Sequence, residues 1–305
     1  MAVPHSSGAF GDLLDPRFQK IFHEQFTELN DMLPELFTFP PGNGRDTMKW
    51  SDVGAYGDWS QFNGSVSYQS AAQGYDTTAT HLEFASGVQV ERKLFDDDQY
   101  HIMDQRPSGL ATAAQRTRQT HGARILNNAA SVDTFFYNNS EAVALVSNSH
   151  TTNSGASTGT GFDNLVTTAL SATALSAARI QMVNFRDDVG NRIAVVPDEI
   201  WIPNDLFEKA FEIVSSMGKV DTANNNRNVH EGAYTIKEWN YLSDTNNWFL
   251  CDSAMRKQMV FWVERVPVEF AFAEDIDTLI AKWRGYMRYA NAQINWRWIL
   301  GGIVS

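Results

Sequence analysis

The side chains in this sequence that could do chemistry begin with a cluster of carboxylates near a histidine. Asp96, Asp97 and Asp98 precede His101 and offer hard oxygen ligands of the kind that bind Ca²⁺ or Mg²⁺. Acidic residues just before a helix also complement the helix dipole, and we favour that interpretation. The sequence therefore predicts no metal site at this cluster.

Two other places offer reactive groups. Glu274, Asp275 and Asp277 could form the paired carboxylates of acid–base catalysis, but they lie in a loop between predicted strands, where a solvated turn is commoner. Cys251 is the only cysteine, and the apolar residues 248–250 before it favour a buried side chain over a nucleophile. No glycine-rich phosphate loop, HExxH or GxSxG motif occurs. We predict no catalytic residue, no cofactor and no metal.

The composition is that of an acidic globular protein. The 305 residues are 43% hydrophobic, and 24 basic against 36 acidic residues give a net charge of −12. This balance opposes sequence-independent DNA binding, which needs clustered lysine and arginine. A single cysteine excludes an intramolecular disulfide and suits a reducing cytoplasm. The sequence shows neither a secretion signal nor an apolar run of about 18 residues that would span a membrane.

The elements that would position any site are densest at 175–216. Three are predicted: a helix ending at the turn formers 187–191, a buried strand at 193–196 closed by Pro197, and a second helix that Asn204 caps and Gly218 ends. The first helix follows the possible caps Ser171 and Thr173. Its apolar side is Leu175, Ala178, Met182 and Phe185, and that of the second is Leu206, Phe207, Ala210, Phe211 and Val214. The stretch predicts the core of an α+β protein.

Extensions precede this core. A small, polar segment at 1–15 leads into a helix that opens at Asp15 and stops at Pro34, and its aromatic stripe is either core or a docking surface on a neighbouring subunit. That stripe is Phe18, Phe22, Phe26, Leu29 and Leu33. From 39 to 93 alternating apolar residues and glycines predict strands and turns. The aromatic residues there, Trp50, Tyr56, Trp59 and Phe62, have few aliphatic partners. A hairpin of this kind must lie on another part of this subunit or on the next.

Beyond the hairpin the sequence predicts a long helix with a narrow apolar seam, laid across a sheet. The seam is Leu110, Ala114, Thr117, Ile125 and Ala129, and the arginines on the other side, Arg106, Arg116, Arg118 and Arg124, are predicted to be solvated or paired. Polar loops are predicted at 147–161 and 221–228, and strands at 247–252, 258–263, 268–272 and through 282–303, including Trp296, Arg297 and Trp298.

In this order of parts the chain resembles the major capsid proteins of tailed double-stranded DNA bacteriophages, which have the HK97 fold. The segments that carry the resemblance are the helix, turn and strand within 167–216, NNWFLCD at 246–252 and RGYMRYANAQINWRW at 284–298. It implies an α+β, HK97-like capsid fold. The implied parts are an N-terminal arm at 1–45, an extended β-hairpin loop at 46–95, a peripheral domain with a long spine helix at 96–140, an axial domain at 141–250 and a return to the peripheral sheet at 251–305.

The resemblance implies a structural protein that self-assembles into pentamers and hexamers of an icosahedral head around packaged double-stranded DNA, which it contacts non-specifically. The implied partners are a scaffolding protein, a portal and decoration proteins, without a membrane, and the protein would assemble in the bacterial cytoplasm and reside in the virion capsid. The expected subunit contacts are Phe18, Phe22, Trp50, Trp59, Phe62, Arg92 and Lys93. One relative cross-links a loop lysine to an asparagine; Lys93 or Lys49 matches by position, but no motif names the partners.

Two alternatives remain open at this point. An encapsulin-like shell of the same fold would enclose a cargo enzyme in place of DNA, and the contents of purified particles distinguish the two. A glycan-binding or hydrolytic protein would use Trp50, Trp59, Trp296 and Trp298 as stacking platforms, with Glu274 and Asp277 as acid and base. Glycan binding that is lost in Trp59→Ala would favour this third class.

Overall fold

The computed structural model describes residues 19–42, 44–91, 105–218, 227–275 and 280–304. The helices are α1 (19–28), α2 (Leu33–Leu36), α3 (Gln105–Asn127), α4 (Ala172–Val183), α5 (Phe207–Ser215) and α6 (Ser253–Met259). The strands are β1 (Thr47–Val53), β2 (Gln73–Thr80), β3 (Leu82–Glu91), β4 (Tyr137–Asn139), β5 (Leu165–Val166), β6 (Glu199–Ile202), β7 (Thr235–Glu238), β8 (Trp248–Cys251), β9 (Val260–Asp275), β10 (Ile280–Gln293) and β11 (Ile299–Gly302). The predicted 1–15 segment, Asp96–98, His101 and residues 221–226 lie outside these ranges.

The described strands form three sheets. One has the order β1-β2-β4, a second β3-β10-β9, and a third, five-stranded sheet β5-β11-β8-β6-β7. Pairing is antiparallel except where β5 meets β11 and β6 meets β7. The segment predicted as one extended loop, 46–95, therefore supplies strands to two sheets, because β3 pairs with β10 and not with the β1–β2 hairpin.

The five-stranded sheet is the centre of the main core. All four residues of β6 and all four of β8 are buried. The largest side chains that they and their neighbours enclose are Trp201, Trp239, Trp248 and Trp298, each at most 1% exposed. Helix α4 packs here through Leu175, Ala178 and Met182, as predicted, and the Oγ of Ser171 accepts a bond from the Ala174 N–H at 3.1 Å, which confirms the predicted cap.

A buried ion pair ties α6 and α2 to this sheet. The Nε of Arg256 donates to Glu199 Oε2 at 3.0 Å and its Nη2 to Glu199 Oε1 at 3.1 Å, in a two-pronged arrangement. Its Nη1 donates to the carbonyl of Leu36 at 2.8 Å. Arg256 is 3% and Glu199 8% exposed, and Trp201 Nε1 donates to the same carboxylate at 3.3 Å. The charge is thus fully hydrogen-bonded inside the protein.

The long predicted helix is α3, and it lies against the sheet of β3, β10 and β9. Leu110 and Ala111 pack in a second core cluster with Phe22, Phe270 and Trp283. Arg118 is not solvated: it is 7% exposed, its Nη2 lies 2.5 Å from Glu264 Oε1, and its guanidinium lies over the Phe26 and Trp262 rings. A carboxylate and two aromatic faces thus stabilise this buried cation on the packed side of the helix.

The predicted N-terminal helix is two helices. α1 ends at residue 28, and Pro34 does not stop it but stands in the first turn of α2, where a missing N–H costs nothing. Asp31 initiates this second helix, since its Oδ1 accepts the Leu33 N–H at 2.9 Å.

The strand predicted at 193–196 is wrong. Val196 is 68% exposed and its N–H is bonded to Asp252 Oδ2 at 2.7 Å, outside any ladder. The buried strand is β6, which begins two residues after Pro197 and is paired on both edges, by β7 and β8. The segment 193–196 is the more uniformly apolar of the two, so the available neighbours and not the local sequence decide between them.

Three further predictions need correction. Asn204 does not cap α5; it lies in a 3₁₀ turn (Asn204–Leu206), and α5 has no side-chain cap. The strands predicted at 258–263 and 268–272 are one strand, β9, preceded by α6. Residues 296–298 form a turn between β10 and β11.

Candidate assembly surface

One aromatic-rich segment whose side chains stay exposed is the connection between β1 and β2. The two strands pair from Thr47 opposite Thr80 to Val53 opposite Gln73, with a register shift between Ser51 and Val53. Residues 54–72 then run out and back without forming a strand. We call 54–72 the hairpin tip.

The hairpin tip exposes most of its aromatic surface. Its large exposed side chains are Tyr56 (61%), Trp59 (96%), Phe62 (69%), Val66 (64%) and Tyr68 (93%). They line a cleft of about 370 Å³ instead of packing tightly on one another. Large apolar side chains that are exposed together around one cleft mark a surface that another molecule covers.

The charge of the tip suits contact with another copy of the chain. Asp58 is the only charged residue between 54 and 72, although the chain as a whole carries −12. Two copies of an acidic protein repel each other at long range, but an aromatic extension with a single charged residue can approach a second copy while desolvating at most one charge.

Comparison with known proteins decides which class of protein carries this surface. The family described as phage capsid protein matches residues 74–301. The chain belongs to the phage capsid protein family. Its function is that of a structural protein of a phage capsid. None of the curated proteins compared with the chain matches it in sequence.

Solved capsids share the fold of this capsid protein. The mature capsid of bacteriophage PhiM1 aligns with a TM-score of 0.62 at 9% identity, covering 91% of this chain and 88% of that chain. The capsid of cyanophage P-SCSP1u gives 0.53 at 14% identity, with 88% and 86% covered. A virus-like particle from Pyrococcus furiosus gives 0.53 at 9% identity, with 94% and 98% covered. The predicted HK97-like α+β fold is confirmed.

The structure separates the residues predicted to contact neighbouring subunits. Trp59 and Phe62 lie in the exposed tip. Trp50 is half-buried in β1 and stacks on Phe261 of the same chain, with ring centroids 5.4 Å apart. Phe22 is fully buried against Phe270, 4.8 Å between centroids, which leaves no surface for a neighbouring subunit to contact. Phe18, Arg92 and Lys93 lie outside the described residues.

Sequence reasoning missed a second exposed aromatic pair on the capsid protein. Phe207 and Phe211 of α5 are 39% and 53% exposed, with ring centroids 6.1 Å apart. The helix buries Ala210, Ile213 and Val214 instead. Its apolar positions span a wider arc than the core can cover, so the stripe alone did not reveal which side faces outward.

The groups that could do chemistry are placed unfavourably for it. Cys251 is fully buried, and burial, with Glu199 next in importance, raises the pKa of its thiol well above the usual range. Trp296 and Trp298 are 3% and 0% exposed, so they cannot be stacking platforms for a glycan. Asp277 lies outside the described residues. Within the described ranges no group of His, Cys, Asp or Glu could hold a metal ion, and no helix is long and apolar enough to cross a membrane.

One lysine considered for a cross-link is engaged in another contact. Lys49 Nζ lies 2.7 Å from Asp76 Oδ2 across the β1–β2 pair, and this ion pair lowers the pKa of the Asp76 carboxyl. A lysine that attacks an amide must be free to approach it, whereas the Lys49 ammonium is held by a carboxylate of its own chain. The geometry at Lys49 therefore opposes a role as nucleophile.

Proposed function

We propose that this capsid protein assembles with copies of itself into hexamers and pentamers that close an icosahedral phage head around packaged double-stranded DNA. The observation that carries the proposal is the hairpin tip, an aromatic extension with one charged residue, Asp58, that the chain does not bury alone. Membership of the phage capsid family supports it. The protein would act without catalysis.

The contact that we propose is between the tip of one copy and the body of the next. Such a head-to-tail contact uses different surfaces on the two copies, so it propagates into rings or shells. Trp59 is the expected anchor, because a nearly fully exposed tryptophan gains most on burial, and truncating such an anchor costs about 2–4 kcal/mol per contact. Because the contact would be repeated over many subunits, a modest free energy per contact would add up to a stable shell.

The same proposal assigns the parts of the chain. Residues 1–45 would be an arm, 46–95 the extended loop, 96–140 and 251–305 the peripheral domain, and 141–250 the axial domain. A scaffolding protein, a portal and decoration proteins would be its partners in the bacterial cytoplasm before it resides in the virion. The net charge of −12 suits a container wall that touches its DNA only weakly and non-specifically.

Expression with the cognate scaffolding protein tests the proposal. The wild type and Trp59→Phe should give megadalton particles by negative-stain microscopy, whereas Trp59→Ala should give folded subunits that do not build stable shells. Subunits that stay monomeric or dimeric in every scaffold and salt condition would refute it. Wild-type particles that enclose a protein cargo other than the scaffolding protein would favour an encapsulin-like shell.

Phe211→Asp tests whether the exposed aromatic pair of α5, Phe207 and Phe211, is needed for folding. The sequence alone predicts that this change abolishes soluble subunits, because Phe211 falls in the apolar stripe of α5. Since the ring is 53% exposed, we now expect the variant to fold with a near-native circular dichroism spectrum.

A further inference from the structure

The base of the hairpin touches a turn that follows α4, far away in the chain. The Ala55 N–H donates to Asp188 Oδ1 at 2.8 Å. The neighbouring Gly54 N–H donates to the carbonyl of Ala72 at 2.8 Å, the outermost of the bonds that join the two arms of the hairpin at its base. Asp188 therefore binds the chain at the point where the regular pairing gives way to the tip.

Glycine at position 54 allows this close approach. A Cβ atom there would lie 2.4 Å from Asp188 Oδ2 and 2.4 Å from the Ala72 carbonyl oxygen, and Gly54 is itself buried. Both distances are far below van der Waals contact. The Asp188 carboxylate thus packs directly on the hairpin backbone at Gly54. The Ala72 carbonyl, on the returning arm of the hairpin, packs against the same glycine.

Asp188 is itself held firmly by its surroundings. Its backbone carbonyl accepts the hydroxyls of Thr152, at 2.9 Å, and of Ser154. In the same turn Asp187 Oδ1 accepts the N–H groups of Val189, at 3.1 Å, and of Asn191, at 2.7 Å. A turn with this many internal bonds is rigid, and it holds the base of the hairpin in place.

We propose that Asp188 is a positioning residue that sets the angle at which the hairpin tip leaves the body of the subunit. Nine or so residues run out from the anchor, so the tip reaches at most about 30 Å. A rotation of about 10° at the base then moves the tip by about 5 Å, the spacing between neighbouring strands. Trp59 lies four residues from Ala55, at most about 14 Å from the anchor, so the same rotation moves it by about 2–3 Å, which is enough to disrupt a tightly packed contact on another subunit. We call the contact between Asp188 and the hairpin base at Ala55 the latch. The effect of the angle on contacts of Trp59 rests on the proposed assembly function, whereas the latch does not.

Three variants test the latch. Asp188→Ala removes the acceptor for Ala55, Asp188→Asn keeps an oxygen in the same place, and Asp58→Ala removes the same charge from the exposed tip without touching the base. In hydrogen exchange of unassembled subunits, we expect the amides of Gly54 and Ala55 to exchange at least tenfold faster in Asp188→Ala. Asp188→Asn and Asp58→Ala should match the wild type, and the amides of β2 should be unchanged in all.

Gly54→Ala provides a second route, because it displaces the carboxylate while leaving it in the protein. It should reproduce the faster exchange. Unchanged exchange at Gly54 and Ala55 in Asp188→Ala would overturn the proposal, whatever the variant assembles into.

Assembly with scaffold gives an independent reading. Particles of Asp188→Ala should show a broadened or shifted size distribution, restored in Asp188→Asn. Faster exchange with a normal size distribution would overturn the claim that the latch sets a useful angle. If the wild type forms no particles, the proposed function fails, and hydrogen exchange still decides whether Asp188 holds the hairpin.

Discussion

The buried pair of Arg256 and Glu199 makes the sharpest prediction about what holds the subunit together. Arg256→Met keeps the apolar stem but removes three hydrogen bonds, two to Glu199 and one to the Leu36 carbonyl. The carboxylate, 8% exposed, is then left without a counter-charge. Breaking one side of such a pair costs about 3–5 kcal/mol, because the remaining charge is buried without compensation.

A double-mutant cycle separates the cost of the unpaired Glu199 charge from the cost of lost packing. Glu199→Gln removes the charge yet retains an acceptor for Trp201 Nε1. If the cost of Arg256→Met is mainly that of a stranded charge, the double variant should be about 2–3 kcal/mol more stable than the sum of the two single changes. The matched control is Arg227→Met, whose side chain is 88% exposed and lies 3.7 Å from Glu231; there we expect a change within about 0.5 kcal/mol.

Urea unfolding of unassembled subunits, followed by tryptophan fluorescence and circular dichroism, measures these differences. The two signals must coincide for a two-state free energy to be used. A shift in midpoint with unchanged slope reports stability. A cost below about 1 kcal/mol for Arg256→Met, or strict additivity in the cycle, would refute the account of this pair.

The remaining predictions concern a histidine, two glycines and the cysteine. Burial, reinforced by Arg124, lowers the pKa of His121 from 6.5 to about 4, so stability is complete above pH 6.5 and falls as the pH drops toward 4. Because the ring is only half-buried we expect a loss of about 1–2 kcal/mol, absent in His121→Phe, and acid titration of the melting temperature checks it. Gly302→Ala should cost about 1–3 kcal/mol in urea, since its Cβ would lie 2.2 Å from Trp248 Nε1, whereas Gly109→Ala, in open space on α3, should gain up to about 1 kcal/mol; equal effects would contradict the steric argument. Cys251 should react with a maleimide only as fast as the subunit unfolds, and rapid native labelling would show that it is accessible.

The sequence predicts those helices whose signals are local. Helix α4 has a serine cap, a periodic apolar side and a turn-forming end, and each of these signals acts within a few residues. The buried strand was predicted at 193–196 because that run is uniformly apolar whereas 199–202 begins with a glutamate, and only the pairing of β6 with β7 and β8 makes it the strand. Long-range partners of this kind are not encoded in the spacing of residues.

The exposed hairpin tip was predictable in part for a physical reason. The tip has aromatic residues without aliphatic partners in the same segment, and that imbalance predicted that Trp59 and Phe62 must lie on another part of this subunit or on the next. It did not separate them from Phe22, whose partner Phe270 lies near the other end of the chain. The latch at Asp188 could not be predicted, because the aspartates at 187–188 look in sequence like ordinary turn formers.

The position of β10 and β11 has a consequence for the life of the protein in the cell. β10 lies between β3 and β9, and β11 lies between β5 and β8, second from the edge of the five-stranded sheet. During synthesis the earlier strands of both sheets leave the ribosome with a gap where these two must insert. The core therefore cannot close until β10 and β11 have left the ribosome, so a nascent chain that already exposes its hairpin tip is not yet competent to join another subunit.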